Sequence, residues 1–187
     1  SLPLLLPLCG FLALVVWLYD RGPVFYSQER IGYGGKPIRI WKFRTMVVNA
    51  DETLKQHLAD DPELAKEWEE KHKLSNDPRI TWPGRFLRRL SLDELPQLLS
   101  VFKGDISLVG PRPIVEVEIK KYGQNFELLK QVPGGLTGLW QISGRSRTSY
   151  QRRVELDAYY IRNWSIWLDI YIIAKTPLAL LRLNQAC

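Results

Sequence analysis

Histidine occurs twice in this 187-residue chain, cysteine twice and methionine once. Two cysteines, Cys9 and Cys187, exclude a disulfide framework and a Cys-rich zinc module, and they fit a reducing compartment. His57 and His72 both fall in a charged helical stretch, so a histidine metal site and a Ser-His triad are poor candidates. No G-x-x-x-x-G-K-[ST] run is present, which excludes a P-loop enzyme. There is no internal repeat and no low-complexity tract. Hydrophobic residues make up 45% and charged residues 25%, the mixture of a folded chain with enough length for one core. The sole methionine is Met46, so Ser1 reads as an unnatural start, and the expectation is a fragment or processed product of something longer.

Charge is present but unevenly spread. Residues 49–73 hold eight acids and four bases, whereas the whole chain carries +6, so the remainder carries +10. A surplus of that size favours an anionic partner: a phosphate-rich ligand, nucleic acid or anionic lipid.

Both ends of the chain read as membrane-associated. Residues 2–19 contain no charge, and as a helix they would run about 27 Å, near the lower limit for crossing a bilayer core. No basic n-region or A-x-A site supports a signal peptide. Pro7 removes a backbone hydrogen bond and predicts a kink. A mild kink in a spanning helix and a break that returns the chain to the same face are both open on the residues alone. Trp17 and Tyr19 mark an interface, and Asp20-Arg21-Gly22-Pro23 ends the segment in water. In residues 164–183, Trp164, Trp167 and Tyr171 mix with aliphatics, while Asp169, Lys175 and Arg182 interrupt the run. That pattern predicts an amphipathic helix in the headgroup region, with packing on the core as its alternative.

Between these ends, residues 24–31 and 37–43 read as two strands around Gly32-Tyr33-Gly34-Gly35. Residues 49–73 read as one exposed charged helix, broken by Asn76-Asp77-Pro78. A basic stretch with Arg85, Arg88 and Arg89 runs into Ser91-Leu92-Asp93-Glu94-Leu95-Pro96, and a helix is expected to follow to about Phe102, ended by Lys103-Gly104. Val109-Gly110-Pro111-Arg112-Pro113 is a rigid loop, residues 114–131 are mostly helical, LWQI (139–142) is a short strand, and 149–162 is an amphipathic helix.

Asp93-Glu94 is the most suggestive pair. Ser91-x-x-Glu94 has the form of a capping box, with Asp93 as a first-turn acid suited to the helix dipole. The context adds chemistry. Arg85, Arg88 and Arg89 precede the pair and Arg112 follows in a Pro-fixed loop. A helix start attracts phosphate and keeps Asp93 ionised, and an ionised carboxylate can attack phosphorus. Glu94 could supply one oxygen to Mg²⁺, which takes few protein carboxylates and keeps phosphates and water. Lys42-Phe43-Arg44 ends a strand and is either anion-binding or a solvated edge. Arg145 and Arg147 lie in SGRSRTS, which is either a diphosphate wrap or a surface loop. Asp157 stands one helical turn from Arg153 and could simply pair with it.

Five blocks then converge: KFRTM (42–46), RRLSLDELPQ (88–97), KGDISLVGPRP (103–113), PGGLTGLWQISGR (133–145) and ELDAYYIRNWS (155–165). In this order they resemble the bacterial sugar transferase family, the monotopic polyprenyl-phosphate phosphoglycosyl transferases. The ending from Ser143 to Ile170 is most like the undecaprenyl-phosphate galactose phosphotransferase branch. The resemblance implies transfer of a sugar 1-phosphate, galactose in that branch, from a UDP-sugar to undecaprenyl phosphate with release of UMP. It implies Asp93 as the nucleophile that forms a phosphosugar-enzyme and Glu94 as its Mg²⁺-linked partner. Lys42, Arg88, Arg112 and Asp157 fall on active-site motifs. Arg88 and Arg112 are assigned to phosphate, and the roles of Lys42 and Asp157 stay open. Residues 138–141, with Gln141, are a nucleotide-contact candidate. The family's N-terminal helix enters and leaves by the cytoplasmic face at a Ser-Pro bend. Here Leu6-Pro7 stands in that place without the serine, so Pro7 must bend the helix.

The expected fold is therefore α+β and helix-rich: a membrane-anchored monotopic domain with an N-terminal re-entrant helix, a small β-hairpin and interfacial amphipathic helices. Residues 1–22 form the re-entrant helix and 23–187 the catalytic domain at the cytoplasmic face of the bacterial inner membrane. Membrane lipid is an expected partner, nucleic acid is not, and a homodimer is left open. The competing readings are a membrane-attached module that binds nucleic acid, lipid or another anionic ligand without catalysis, and a scaffold that recruits assembly enzymes.

Overall fold

The computed structural model describes residues 2–71, 74, 76–144 and 148–181. The chain forms two compact units. Among the described residues, the first comprises those within 2–26 and 43–95, and the second those within 27–42 and 96–181. The architecture is α+β and helix-rich, as the sequence predicts, with two small two-stranded sheets.

Helix α1 (Leu2–Asp20) opens the first unit and runs continuously through Pro7. Cys9, Leu12, Ala13 and Val16 recur at helical spacing and pack with Phe43, Leu87, Val24, Leu92 and Leu95. Leu6, Phe11, Leu14 and Leu18, on the remaining surface of α1, are exposed. The helix is thus apolar all round but buries only one face within its unit. Among the described residues no helix is long and apolar enough to cross a membrane. Arg21 closes α1 with a left-handed φ of 58°. Asp20 accepts from the Gly22 N–H and pairs with Arg44 just beyond the hairpin. A side chain at Gly22 would meet the Arg44 guanidinium and the Val48 side chain and would displace them.

The charged segment is two helices, α2 (Ala50–Asp60) and α3 (Pro62–Lys71), where the sequence predicts one. Pro62 has no N–H to continue the α2 ladder but is well placed to start a helix, and the Asp61 side chain accepts from the Glu63 and Leu64 N–H groups. Helix α4 (Trp82–Leu90) follows and packs on α1.

The hairpin strands β1 (Phe25–Ile31) and β2 (Pro37–Phe43) form one sheet. The second unit continues with α5 (Gln97–Lys103), which stops at left-handed Gly104 as expected, and with β3 (Ser107–Val109). Residues 114–131 break into a 3-10 turn, α6 (Ile119–Tyr122) and α7 (Asn125–Leu129), because Gly123 takes a positive φ. Strand β4 (Gly135–Thr137) pairs parallel with β3, placing Ser107 beside Gly135 and Val109 beside Thr137. LWQI is not a strand but the one-turn helix α8 (Leu139–Ile142), because the β partner is the GLT stretch just before it. Ser149 caps α9 (Tyr150–Arg162), its hydroxyl accepting from Arg152 N–H. In α10 (Ile166–Leu181), Ile172 is fully buried against Val109 and Tyr160, while Ile166, Trp167, Ile170 and Tyr171 are exposed. The core-packing reading thus holds for Ile172, and the opposite face of the helix is apolar and exposed.

The β3–β4 pair depends on Gly110 and Gly135 touching backbone to backbone. A Cβ at Gly135 would lie 2.1 Å from the Gly110 nitrogen. Gly135→Ala is expected to cost about 1–3 kcal/mol. Urea or thermal unfolding of the purified protein checks this, and an unchanged midpoint would contradict the packing described.

Candidate functional site

Asp93 and Glu94 lie in a single 3-10 turn, Leu92–Glu94, that follows α4 directly. The predicted capping box does not form. Ser91 adopts the left-handed conformation, φ 54°, and closes α4, its N–H bonding the carbonyls of Arg88 and Leu87. Its side chain makes no cap hydrogen bond. A helix starting at Ser91 is also blocked further on. Pro96 has no N–H for the Leu92 carbonyl, so the segment closes instead through Glu94 N–H to Ser91 O and Leu95 N–H to Leu92 O, each 3.2 Å. Asp93 is thus not a first-turn residue of an α-helix. It follows the C-terminus of α4, where the helix dipole is negative and whose last turn carries Arg88 and Arg89. Asp93 is 9% exposed and Glu94 half-buried.

Arg88 is held from the start of α4. Its Nε donates to Thr45 Oγ1 at 2.8 Å. The Thr45 carbonyl in turn accepts from Thr81 N–H at 3.0 Å, and Thr81 Oγ1 accepts from Gly84 N–H at 3.0 Å. A side chain at Gly84 would collide with the Thr45 carbonyl, so α4 can lie this close only with glycine in its first turn. Nearby, Arg79 grips Asp77 with Nε and Nη2 at 2.9 and 2.7 Å. Burial pushes the Asp77 carboxyl up, but the Arg79 hydrogen bonds and the charges of Arg79 and Arg88 outweigh it and leave it below the ordinary range. Arg88, Asp93 and Glu94 therefore share the first unit.

Lys42, Arg112, Gln141 and Asp157 belong to the second unit. Lys42 stands one residue from the end of β2 and is half-buried. Arg112 sits between Pro111, whose side chain is fully buried, and Pro113, and lines a small cleft with Lys130, Gly32 and Gly134. Asp157, on α9, is 1% exposed. Its Oδ2 accepts from Tyr122 hydroxyl at 2.7 Å and stands 3.9 Å from Arg153 Nε, the pairing that the one-turn spacing suggests. Arg153 also reaches Glu118 at 3.5 Å, and Glu118 pairs with Arg30 at 3.6 Å. The Arg153 guanidinium lies over the rings of Trp140 and Tyr150, at 4.9 and 5.2 Å. Asp157 Oδ1 and Gln141 Oε1 are buried without a hydrogen-bond partner, and Gln141 Nε2 donates to Leu136 O at 3.3 Å. Burial pushes the Asp157 carboxyl up to about 7 despite the opposing pull of Tyr122, Arg153 and Arg112.

Arg145 and Arg147 lie outside the described residues. Two residues escaped sequence reasoning. Thr45 is buried and bonds Arg88 across 43 positions, and Tyr122 bonds Asp157 across 35. No local spacing links either pair. Among the described residues no three His, Cys, Asp or Glu side chains converge as a metal cage.

The family described as Bacterial sugar transferase matches residues 1–183. The chain is similar to the undecaprenyl-phosphate galactose phosphotransferase of Salmonella typhimurium, with 50% identity over 167 residues, which is 89% of this chain and 35% of that protein. It is 48% identical over 168 residues to the UDP-galactose-lipid carrier transferase of Erwinia amylovora, covering 88% of this chain and 35% of the relative. It is 46% identical over 176 residues to the exopolysaccharide production protein ExoY of Rhizobium meliloti, covering 94% and 78%. The chain thus spans well under two thirds of the length of the first two.

The buried Asp157 makes stability depend on pH. Its folded pKa, about 7, lies above the ordinary carboxyl value. The associated stabilisation is full below the unfolded pKa of about 4 and is lost as pH rises through the folded value. Asp157→Asn, which keeps the shape and stays neutral, should therefore gain on the wild type between pH 5 and pH 8. Unfolding midpoints of both proteins at the two pH values check this; parallel pH dependence would count against it.

Proposed function

The chain belongs to the bacterial sugar transferase family, and we propose that it moves galactose 1-phosphate from UDP-galactose to undecaprenyl phosphate, releasing UMP. The observation that carries this reading is the acidic pair itself. Asp93, nine-tenths buried, and Glu94 share one 3-10 turn at the arginine-bearing end of α4. A buried acid with fixed cationic neighbours is the arrangement needed for a carboxylate that must meet another anion. The printed names of two relatives, which specify galactose, support the choice of sugar.

In this mechanism an Asp93 carboxylate oxygen attacks the phosphorus that carries the sugar. The bond from that phosphorus to the bridging oxygen breaks, and UMP leaves with the bridging oxygen and its electron pair. An oxygen of undecaprenyl phosphate then attacks the same phosphorus and expels the Asp93 carboxylate, giving undecaprenyl-diphosphate-galactose. Splitting one transfer into two displacements is the use of a covalent nucleophile. Arg88 in the first unit and Arg112 in the second are each assigned to phosphate, where a planar fork recognises oxygens in pairs. We further assign Lys42, Arg145, Arg147 and Gln141 to donor binding, and Asp157 to support of Arg153 and Arg112.

Glu94 fits a Mg²⁺ requirement, because this ion takes one or two protein carboxylates and completes its shell with phosphate oxygens and water. Bound there, it would neutralise charge on the diphosphate and its leaving group. The setting proposed is the cytoplasmic face of the inner membrane, with α1, continuous through Pro7, entering and leaving by that face and α10 at the interface. Their exposed apolar faces support the membrane contact. The product would open the assembly of an O-antigen, capsule or exopolysaccharide.

UMP release from UDP-galactose and UDP-glucose, with undecaprenyl phosphate and Mg²⁺, tests the reading. UDP-galactose should be the preferred donor. Asp93→Asn should keep donor binding and lose turnover by at least about three orders of magnitude. Glu94→Gln should raise the Mg²⁺ concentration needed for half-maximal rate. Nucleotide binding without UMP release from any donor would return the chain to a non-catalytic anion-binding module.

A further inference from the structure

We propose that Thr45 is a positioning residue for donor binding, acting through Arg88. The inference rests on the assignment of Arg88 to the donor phosphates. An arginine presents two edges to its surroundings: Nε with one Nη, and the two Nη groups together. Which edge meets a phosphate depends on what holds the rest of the plane. Here Nε donates to Thr45 Oγ1 at 2.8 Å, which fixes the guanidinium plane and sets the direction of its Nη1/Nη2 edge.

Thr45 is itself fixed. It is 7% exposed, and its carbonyl accepts both the Thr81 N–H at 3.0 Å and the Thr81 hydroxyl at 3.4 Å. Gly84 lets the first turn of α4 press against that same carbonyl. One residue therefore grips α4 at its start through the backbone and at its last turn through the side chain. Because the hold on α4 is a backbone carbonyl, replacing the side chain leaves it in place. The hydroxyl is left with one task that valine cannot perform and serine can. Asp77, whose carboxyl feels the charge of Arg88, is gripped by Arg79 through both of its oxygens.

The test compares Thr45→Val with Thr45→Ser in the full chain, reading KM for UDP-galactose and kcat for UMP release separately, with unfolding midpoints alongside. Thr45→Val should raise the donor KM about tenfold, the size expected for loss of one hydrogen bond to a charged group. The KM for undecaprenyl phosphate should stay near the wild-type value, and Thr45→Ser should recover most of the donor effect. In an Arg88→Lys background, which has no Nε to hold, Thr45→Val should add little. Should Thr45→Val fail to fold, Thr45→Ala is read in its place. A donor KM unchanged by Thr45→Val, an equal penalty in Thr45→Ser, or an undiminished penalty in the Arg88→Lys background would each overturn the proposal. Absence of UMP release by the wild type would instead sink the functional reading on which it rests.

Discussion

Two carboxylates in adjacent residues, one of them nine-tenths buried, impose a charge problem that the first unit is built to meet. At an effective dielectric of about 20, like charges about 4 Å apart repel by about 4 kcal/mol, and the diphosphate of the proposed donor would add to this. Compensation has to be fixed in place before the substrate arrives, because flexible surface cations lose most of their attraction to entropy and solvent. Of the two arginines that α4 carries next to the pair, Arg88 is part-buried and held by Thr45, whereas Arg89 is exposed. Thr81 caps the start and Gly84 permits close approach to Thr45. Arg88 and Arg89 come in the last turn, and left-handed Ser91 reverses the chain at once into the acidic turn. Leu87 on the same helix enters the cluster of Leu12, Val16 and Phe43, so the helix that carries the arginines is anchored on α1.

The second unit solves a related problem differently. Arg30, Glu118, Arg153, Asp157 and Tyr122 form a chain of alternating charge running from the hairpin through the 3-10 turn to α9. Such chains of buried charge contribute little net stability, but losing one member leaves its partner uncompensated. Asp157 is 1% exposed, so in this arrangement it acts on its neighbours, Arg153 and Arg112, and not directly on solvent. That gives a physical content to a position whose role the motif alone leaves open.

The strongly periodic parts of the fold were legible in the sequence. The strands at 25–31 and 37–43, the helix at 150–162 and the stop at Gly104 follow from alternation, helical spacing and glycine. The failures cluster where a proline or a long-range partner decides. Pro62 divides the charged helix, and Pro96 with left-handed Ser91 turns an expected helix start into a 3-10 turn. LWQI became helical because its neighbour GLT had already found a parallel partner 28 positions upstream, which no local pattern reveals. The acidic pair and the arginine-bearing helix end just before it are adjacent in sequence and so could be picked out locally. Thr45, which bonds Arg88, and Tyr122, which bonds Asp157, could not, since their contacts span 43 and 35 positions.

The central claim is that Asp93 is a covalent nucleophile and not simply a charged residue of the turn. The most direct measurement incubates the full chain with UDP-galactose labelled in the sugar, with Mg²⁺ and no undecaprenyl phosphate, followed by rapid quench, proteolysis and mass analysis. The account predicts UMP in amounts up to one per enzyme and the labelled galactose phosphate on the peptide containing Asp93. UMP release strictly dependent on the lipid, with unlabelled protein at every time point, would contradict it and mean direct transfer between the two substrates.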